Sequence, residues 1–125
     1  MTKDVALIVG GGPGISASCA RLFAKSGMQV AIAARTPDKP VLQNLERMHG
    51  VRRYACDASE PAAVELLFQN VVRDLGAPRL VVHNIDGRVA GIFRKGITEA
   101  DASMALETLR NSAFSAFLVG QQAAR

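Results

Sequence analysis

The residues whose types and spacing suit chemistry lie near the start of the chain. Gly10, Gly12 and Gly14, with Ile15 and Ser16 behind them, follow directly on the apolar run Val5-Ala-Leu-Ile-Val9. An unbroken, partly β-branched apolar run reads as a strand buried on both faces. The Ala-rich stretch that begins at Ile15 carries helical periodicity. Strand, glycine turn and helix together offer free backbone N–H groups and a helix N-terminus to a phosphate. A Cβ in such a turn would keep a pyrophosphate off the main chain, and some turn positions need a positive φ. The stretch is therefore a candidate nucleotide site, and its plain alternative is a tight turn that binds nothing. The common G-x-G-x-x-G spacing is not met, because Ile15 stands where the third glycine belongs.

The elements that must position this turn can be read in order. A first helix is expected over 14–26, stopping at Gly27, and a buried strand over 28–34. Thr36-Pro37-Asp38 opens a short helix with Val41, Leu42, Leu45 and Met48 on one face and Gly50 as its stop. A third strand follows over 51–56, then a helix with Ser59 as cap and Pro61 in its first turn. That helix turns Val64, Leu67, Phe68, Val71 and Val72 one way and ends near Gly76. A fourth strand over 79–84 leads into a glycine-containing loop over 85–97, and Thr98 opens the last helical region. Strands alternating with helices make βαβ units, so the fold class is α/β, a doubly wound, mainly parallel sheet. Right-handed crossovers give strand order 3-2-1-4, with ligands bound beyond the carboxyl ends of the strands. Topology alone thus selects residues 10–16, Arg35, Asp57 and residues 84–87 as the site.

Composition narrows the classes. The 125 residues are one domain's worth, 49% hydrophobic and 21% charged, which is globular rather than disordered. Fifteen Lys and Arg against eleven Asp and Glu give a net charge of +4, but the basic residues are scattered without interleaved aromatics. Nucleic acid is not the expected partner; a phosphorylated ligand suits the mild excess. Cys19 and Cys56 fit no metal-ligand spacing and read as buried reduced thiols, which points to the cytoplasm. No metal site is expected. The N-terminus does not read as a signal peptide, and no apolar run approaches the roughly eighteen residues of a membrane span.

Gly10-x-x-x-Gly14-Ile15-Ser16 resembles the T-G-x-x-x-G-I-G loop of the short-chain dehydrogenase/reductase family, with Val9 for the Thr and Ser16 for the last Gly. The Ser16 hydroxyl is placed to cap the helix or touch a phosphate. By the same resemblance, Ala34-Arg35 is of the NADP type, since an Arg pairs bidentately with a 2′-phosphate where NAD enzymes carry a carboxylate. NADP(H) is thus favoured over NAD(H). Cys56-Asp57-Ala58 is similar to the pair whose Asp accepts from the adenine amino group, and a turn Asp before a helix cap is its alternative. Val82-His83-Asn84-Ile85-Asp86 resembles V-N-N-A-G, matching at Asn84, with a carboxylate at Asp86 near the phosphate path. In the last helix, alignment on Phe117 and Ser115 puts the family's catalytic Asn on Ser112, while Asn111 lies one residue early and about 100° away.

The resemblance implies an oxidoreductase that moves hydride to or from a carbonyl or alcohol on a small-molecule substrate, and a homo-oligomer, dimer or tetramer. The family's catalytic Ser and Tyr-x-x-x-Lys are not among these residues, and the single tyrosine, Tyr54, falls in the third strand. The expectation is a single Rossmann-like domain over 1–125 that forms the cofactor-binding, N-terminal part of a longer domain. A non-catalytic nucleotide-binding or regulatory protein of the same fold is the alternative, favoured by the departures at Val9, Ser16 and Asp86.

Overall fold

Val5–Val9 forms the first strand, β1, and all five of its residues are buried. The computed structural model describes residues 3–92 and 96–125. Residues 1 and 2 of the expected non-signal N-terminus, and residues 93–95 of the expected loop, lie outside the described residues. The chain continues through α1 (Ile15–Lys25), β2 (Gln29–Ala34), α2 (Pro40–His49), β3 (Arg52–Ala55), α3 (Pro61–Asp74) and β4 (Pro78–His83). It ends with α4 (Ala102–Leu109), a π-helical turn (Arg110–Phe114) and α5 (Ser115–Ala124).

The four strands form a parallel sheet in the order β3-β2-β1-β4, so the doubly wound α/β architecture is as the apolar runs predict. Alternation along each strand sends its side chains to two cores. Val5, Leu7 and Val9 of β1 and Ala31 and Ala33 of β2 pack with Val64, Leu67, Phe68 and Val71 of α3 and Leu118 and Val119 of α5. Ile8, Val30 and Ile32 point the other way, onto Ala17 and Ala20 of α1 and Leu42 and Leu45 of α2. Each large aliphatic side chain so buried contributes about 1.5–3 kcal/mol. Both faces of the sheet are therefore covered, which is why its central strands are apolar apart from Gln29 at the start of β2.

The ladders run past the ends of the strands and set the turn residues side by side. Gly10 N–H donates to Ala33 O at 2.8 Å, Asn84 N–H to Val9 O at 2.9 Å, and Cys56 N–H to Ala34 O at 3.0 Å. The chain thus leaves β1, β2, β3 and β4 at one edge of the sheet.

Several boundaries differ from expectation. The second helix starts at Pro40 and not at Thr36-Pro37-Asp38, because Pro40 takes the first helical position. Glu60, not Ser59, is the cap residue of α3, and the Ser59 hydroxyl donates to Asp57 Oδ1 at 2.7 Å instead. The last helical region opens at Ala102 rather than Thr98, with the Asp101 carboxylate accepting from the Ser103 N–H at 2.9 Å. Met48 and Val72 face outward, so the inner faces of α2 and α3 are narrower than the periodicity predicts. Cys19 is half-buried and Cys56 buried; both are free.

Candidate functional site

A cleft of about 610 Å³ lies beyond the carboxyl ends of β1, β2 and β4, within the range of about 300–1,000 Å³ usual for small-molecule sites. Its floor is the glycine turn. Gly10 has φ +112°, and a Cβ there would lie 2.1 Å from the Asn84 carbonyl oxygen, so both backbone conformation and space demand glycine. Gly12 and Gly14 differ: a Cβ on either would meet nothing within 4 Å, leaving the main chain bare toward the cleft. The first turn of α1 has neither a side-chain cap bond nor an acidic residue. Its backbone N–H groups and positive dipole end are accordingly available to an anion.

Ser16 is buried, at 1% exposure, and its hydroxyl donates to the Gly10 carbonyl while accepting from Asn84 Nδ2 at 3.1 Å. It does not cap α1, contrary to one of its two expected uses; with Asn84 it stitches the glycine turn to the end of β4. Ile15 is exposed at the cleft mouth.

The walls are cationic. Arg35, directly after β2, donates from Nη2 to Asn111 Oδ1 at 2.8 Å and pairs with Asp57 Oδ1 at 3.3 Å, bridging the β2 side to the turn beside β4. Asp57 flanks the cleft while its neighbours Cys56 and Ala58 line it. The Ser59 hydroxyl and N–H, together with Arg35, hold the Asp57 carboxyl below the ordinary carboxylate range. Lys39 donates to the Gly11 carbonyl at 3.1 Å and joins the lining. Sequence reasoning missed Lys39; the available signal was a second cation four residues after Arg35, immediately before a helix-starting proline. Asp86 does line the cleft, but its carboxylate is gripped by Arg88 through Nε at 2.6 Å and Nη2 at 2.5 Å. Those hydrogen bonds keep the Asp86 carboxyl ionised to lower pH than usual. Its charge is thus neutralised beside the path where it stood as a liability.

Asn111 reaches the cleft and Ser112 does not line it. The π-helical turn explains this, since its extra residue slips the helix register expected from Phe117 and Ser115. The Ser112 hydroxyl donates back to Thr108 O at 2.6 Å. Tyr54 donates to Asp74 Oδ2 at 2.9 Å, away from the cleft, and burial followed by that bond pushes its phenol up to about 12. Burial likewise pushes the Cys56 thiol up to about 11, making it a poor nucleophile. Among the described residues, no group of three His, Cys, Asp or Glu side chains could hold a metal ion, and no helix is long and apolar enough to cross a membrane.

The sequence pattern of a family described as enoyl-(acyl carrier protein) reductase matches residues 10–125. The chain belongs to the short-chain dehydrogenase/reductase family. Two short-chain dehydrogenase/reductase structures superimpose on nearly all of it. One, from Mycobacterium marinum, has TM-score 0.87 and 25% identity over 99% of this chain and 50% of that one. The other, an actinorhodin polyketide ketoreductase variant with NADPH, has TM-score 0.86 and 26% identity over 100% of this chain and 49% of that one. An uncharacterized oxidoreductase of Mycobacterium bovis is 33% identical over 91 residues, 64% of this chain and 25% of its own length. One of Caenorhabditis elegans is 36% identical over 92 residues, 70% of this chain and 29% of its own. The chain therefore spans little more than a quarter of these curated relatives and about half of the solved short-chain dehydrogenases/reductases.

Proposed function

We propose that this chain binds NADP(H) in preference to NAD(H) and forms the cofactor-binding half of a short-chain oxidoreductase domain. Its substrate is a small molecule bearing a carbonyl or an alcohol. The observation that carries the reading is Arg35, a guanidinium directly after β2 and beside an uncapped helix N-terminus in a glycine-floored cleft. The residues present fit such a cofactor, because the bare faces of Gly12 and Gly14 leave room for a pyrophosphate and the α1 N-terminus supplies its donors.

Each residue then has a part. Gly10, with Ser16 and Asn84, holds the turn in shape. Gly12, Gly14 and Ile15 border the phosphates. Arg35 exchanges Asn111 and Asp57 for the 2′-phosphate, with Lys39 adding charge nearby, and Asp57 flanks the adenine end. Asn111, rather than Ser112, presents its amide at the β4 side of the cleft. The nicotinamide, when bound, supplies the hydride. The Asp86–Arg88 pair weakens the case for a non-catalytic protein of the same fold, because the carboxylate that favoured it is already compensated.

Exposed Leu106, Leu109, Phe114 and Phe117 along α4, the π-helical turn and α5 support a homo-oligomer, and two free thiols support a cytoplasmic location. Calorimetric titration of NADPH and NADH tests the cofactor reading. NADPH should bind at least about tenfold tighter, and Arg35→Ala should weaken NADPH by about 10–100-fold, as loss of a charge-assisted pair implies, while barely moving NADH. Equal affinities in the unmodified chain, or no binding to a cooperatively folded chain, would contradict it.

A further inference from the structure

We infer that His83 and Ser115 are positioning residues: their hydrogen bond fixes the π-helical turn so that Asn111, and not Ser112, faces the cleft. In this turn the Ser115 N–H bonds the Arg110 carbonyl, five residues back, instead of the Asn111 carbonyl four back. The Ser115 hydroxyl takes over, lying 2.8 Å from Asn111 O and 3.0 Å from Ser112 O. The same hydroxyl lies 2.7 Å from His83 Nε2, a hydrogen bond that ties the turn to the end of β4. Ser115 is fully buried at 0% exposure, so no water can replace His83 without rearrangement.

The same turn is held from a second side. A Cβ on Gly87 would lie 2.8 Å from both Asn111 C and Ser112 N, so the loop backbone abuts the turn, and Asn111 Nδ2 donates to Gly87 O at 3.3 Å. Without the His83 bond, a relaxed α-helical register would rotate each residue by about 100° per position slipped. Asn111 would then leave the cleft.

The first test needs no ligand. The Asn111 side-chain amide, identified in a ¹⁵N NMR spectrum by its loss in Asn111→Ala, should move in His83→Val and in Ser115→Ala. It should stay in place in His83→Gln, whose side-chain amide can still hydrogen-bond the Ser115 hydroxyl. An unmoved amide in folded Ser115→Ala, which removes only the hydroxyl, overturns the inference even if His83→Val fails to fold.

The second test rests on the cofactor reading. Asn111→Ala and His83→Val should each weaken NADPH binding about three- to tenfold, and the double variant should be no weaker than Asn111→Ala. Additive losses would overturn the coupling. No NADPH binding by the unmodified chain would sink the cofactor reading alone, and the amide would still decide this one.

Discussion

At Gly10 the cleft floor and the β4 end are in backbone contact, whereas Gly12 and Gly14 face open space. Alanine substitution should separate these roles. Gly10→Ala forces a Cβ into a left-handed conformation and against the Asn84 carbonyl, which should lower Tm by about 5–15 °C. Gly12→Ala should leave Tm within about 2 °C and instead weaken NADPH about tenfold, because its methyl group enters the cleft. Thermal melts and titrations on the two variants check both arms. The glycine turn was legible because a strand, three spaced glycines and a helix leave few other readings. The tasks of Ser16 and Asp86 were not. Each depends on a partner that only the folded loop brings near: Asn84 and the Gly10 carbonyl for Ser16, and an aligned Arg88 fork for Asp86.

Among the elements, α2 is docked by two fully buried leucines, Leu42 and Leu45, while Met48 faces water. Leu45→Ala should therefore destabilise the chain by about 2–5 kcal/mol and Met48→Ala by less than about 0.5 kcal/mol, measured by urea unfolding. The sheet order was readable from apolar runs of the right length alternating with amphipathic stretches. The π-helical turn left no such trace, since a one-residue slip in hydrogen bonding changes no residue type. Residue spacing consequently left Ser112 and Asn111 both as candidates, and only the folded turn brings Asn111 to the cleft. The start of α2 was misread for a related reason: Thr36-Pro37-Asp38 and Lys39-Pro40 both look like helix openings, and only Pro40 sits at the first helical position.

For the whole molecule, charge sets the pH window. The Ser59 hydrogen bonds depress the Asp57 carboxyl, and those from Arg73 and Tyr54 depress Asp74. A depressed folded-state pKa contributes stability above the unfolded value of about 3.9 that is lost as pH falls through the folded value. Acid unfolding should therefore set in below about pH 4. Tyr54 acts with the opposite sign. Its phenol, raised from 10.0 to about 12, stabilises the fold below pH 10 and loses that contribution as pH rises toward 12. Tyr54→Phe should flatten this alkaline loss in pH-dependent melts. In the unmodified chain, tyrosinate absorbance should appear only near pH 12.

The central claim is that the cleft at the carboxyl ends of β1, β2 and β4 receives NADP(H). The most direct measurement is a ¹⁵N NMR titration of the folded chain with NADPH. Shifts should concentrate on residues 10–16, Arg35, Lys39, Asn84 and the Asn111 side chain, leaving Arg47 of α2 and Arg53 of β3 unchanged. A folded spectrum that NADPH leaves untouched, or shifts centred on Arg47 and Arg53, would contradict it.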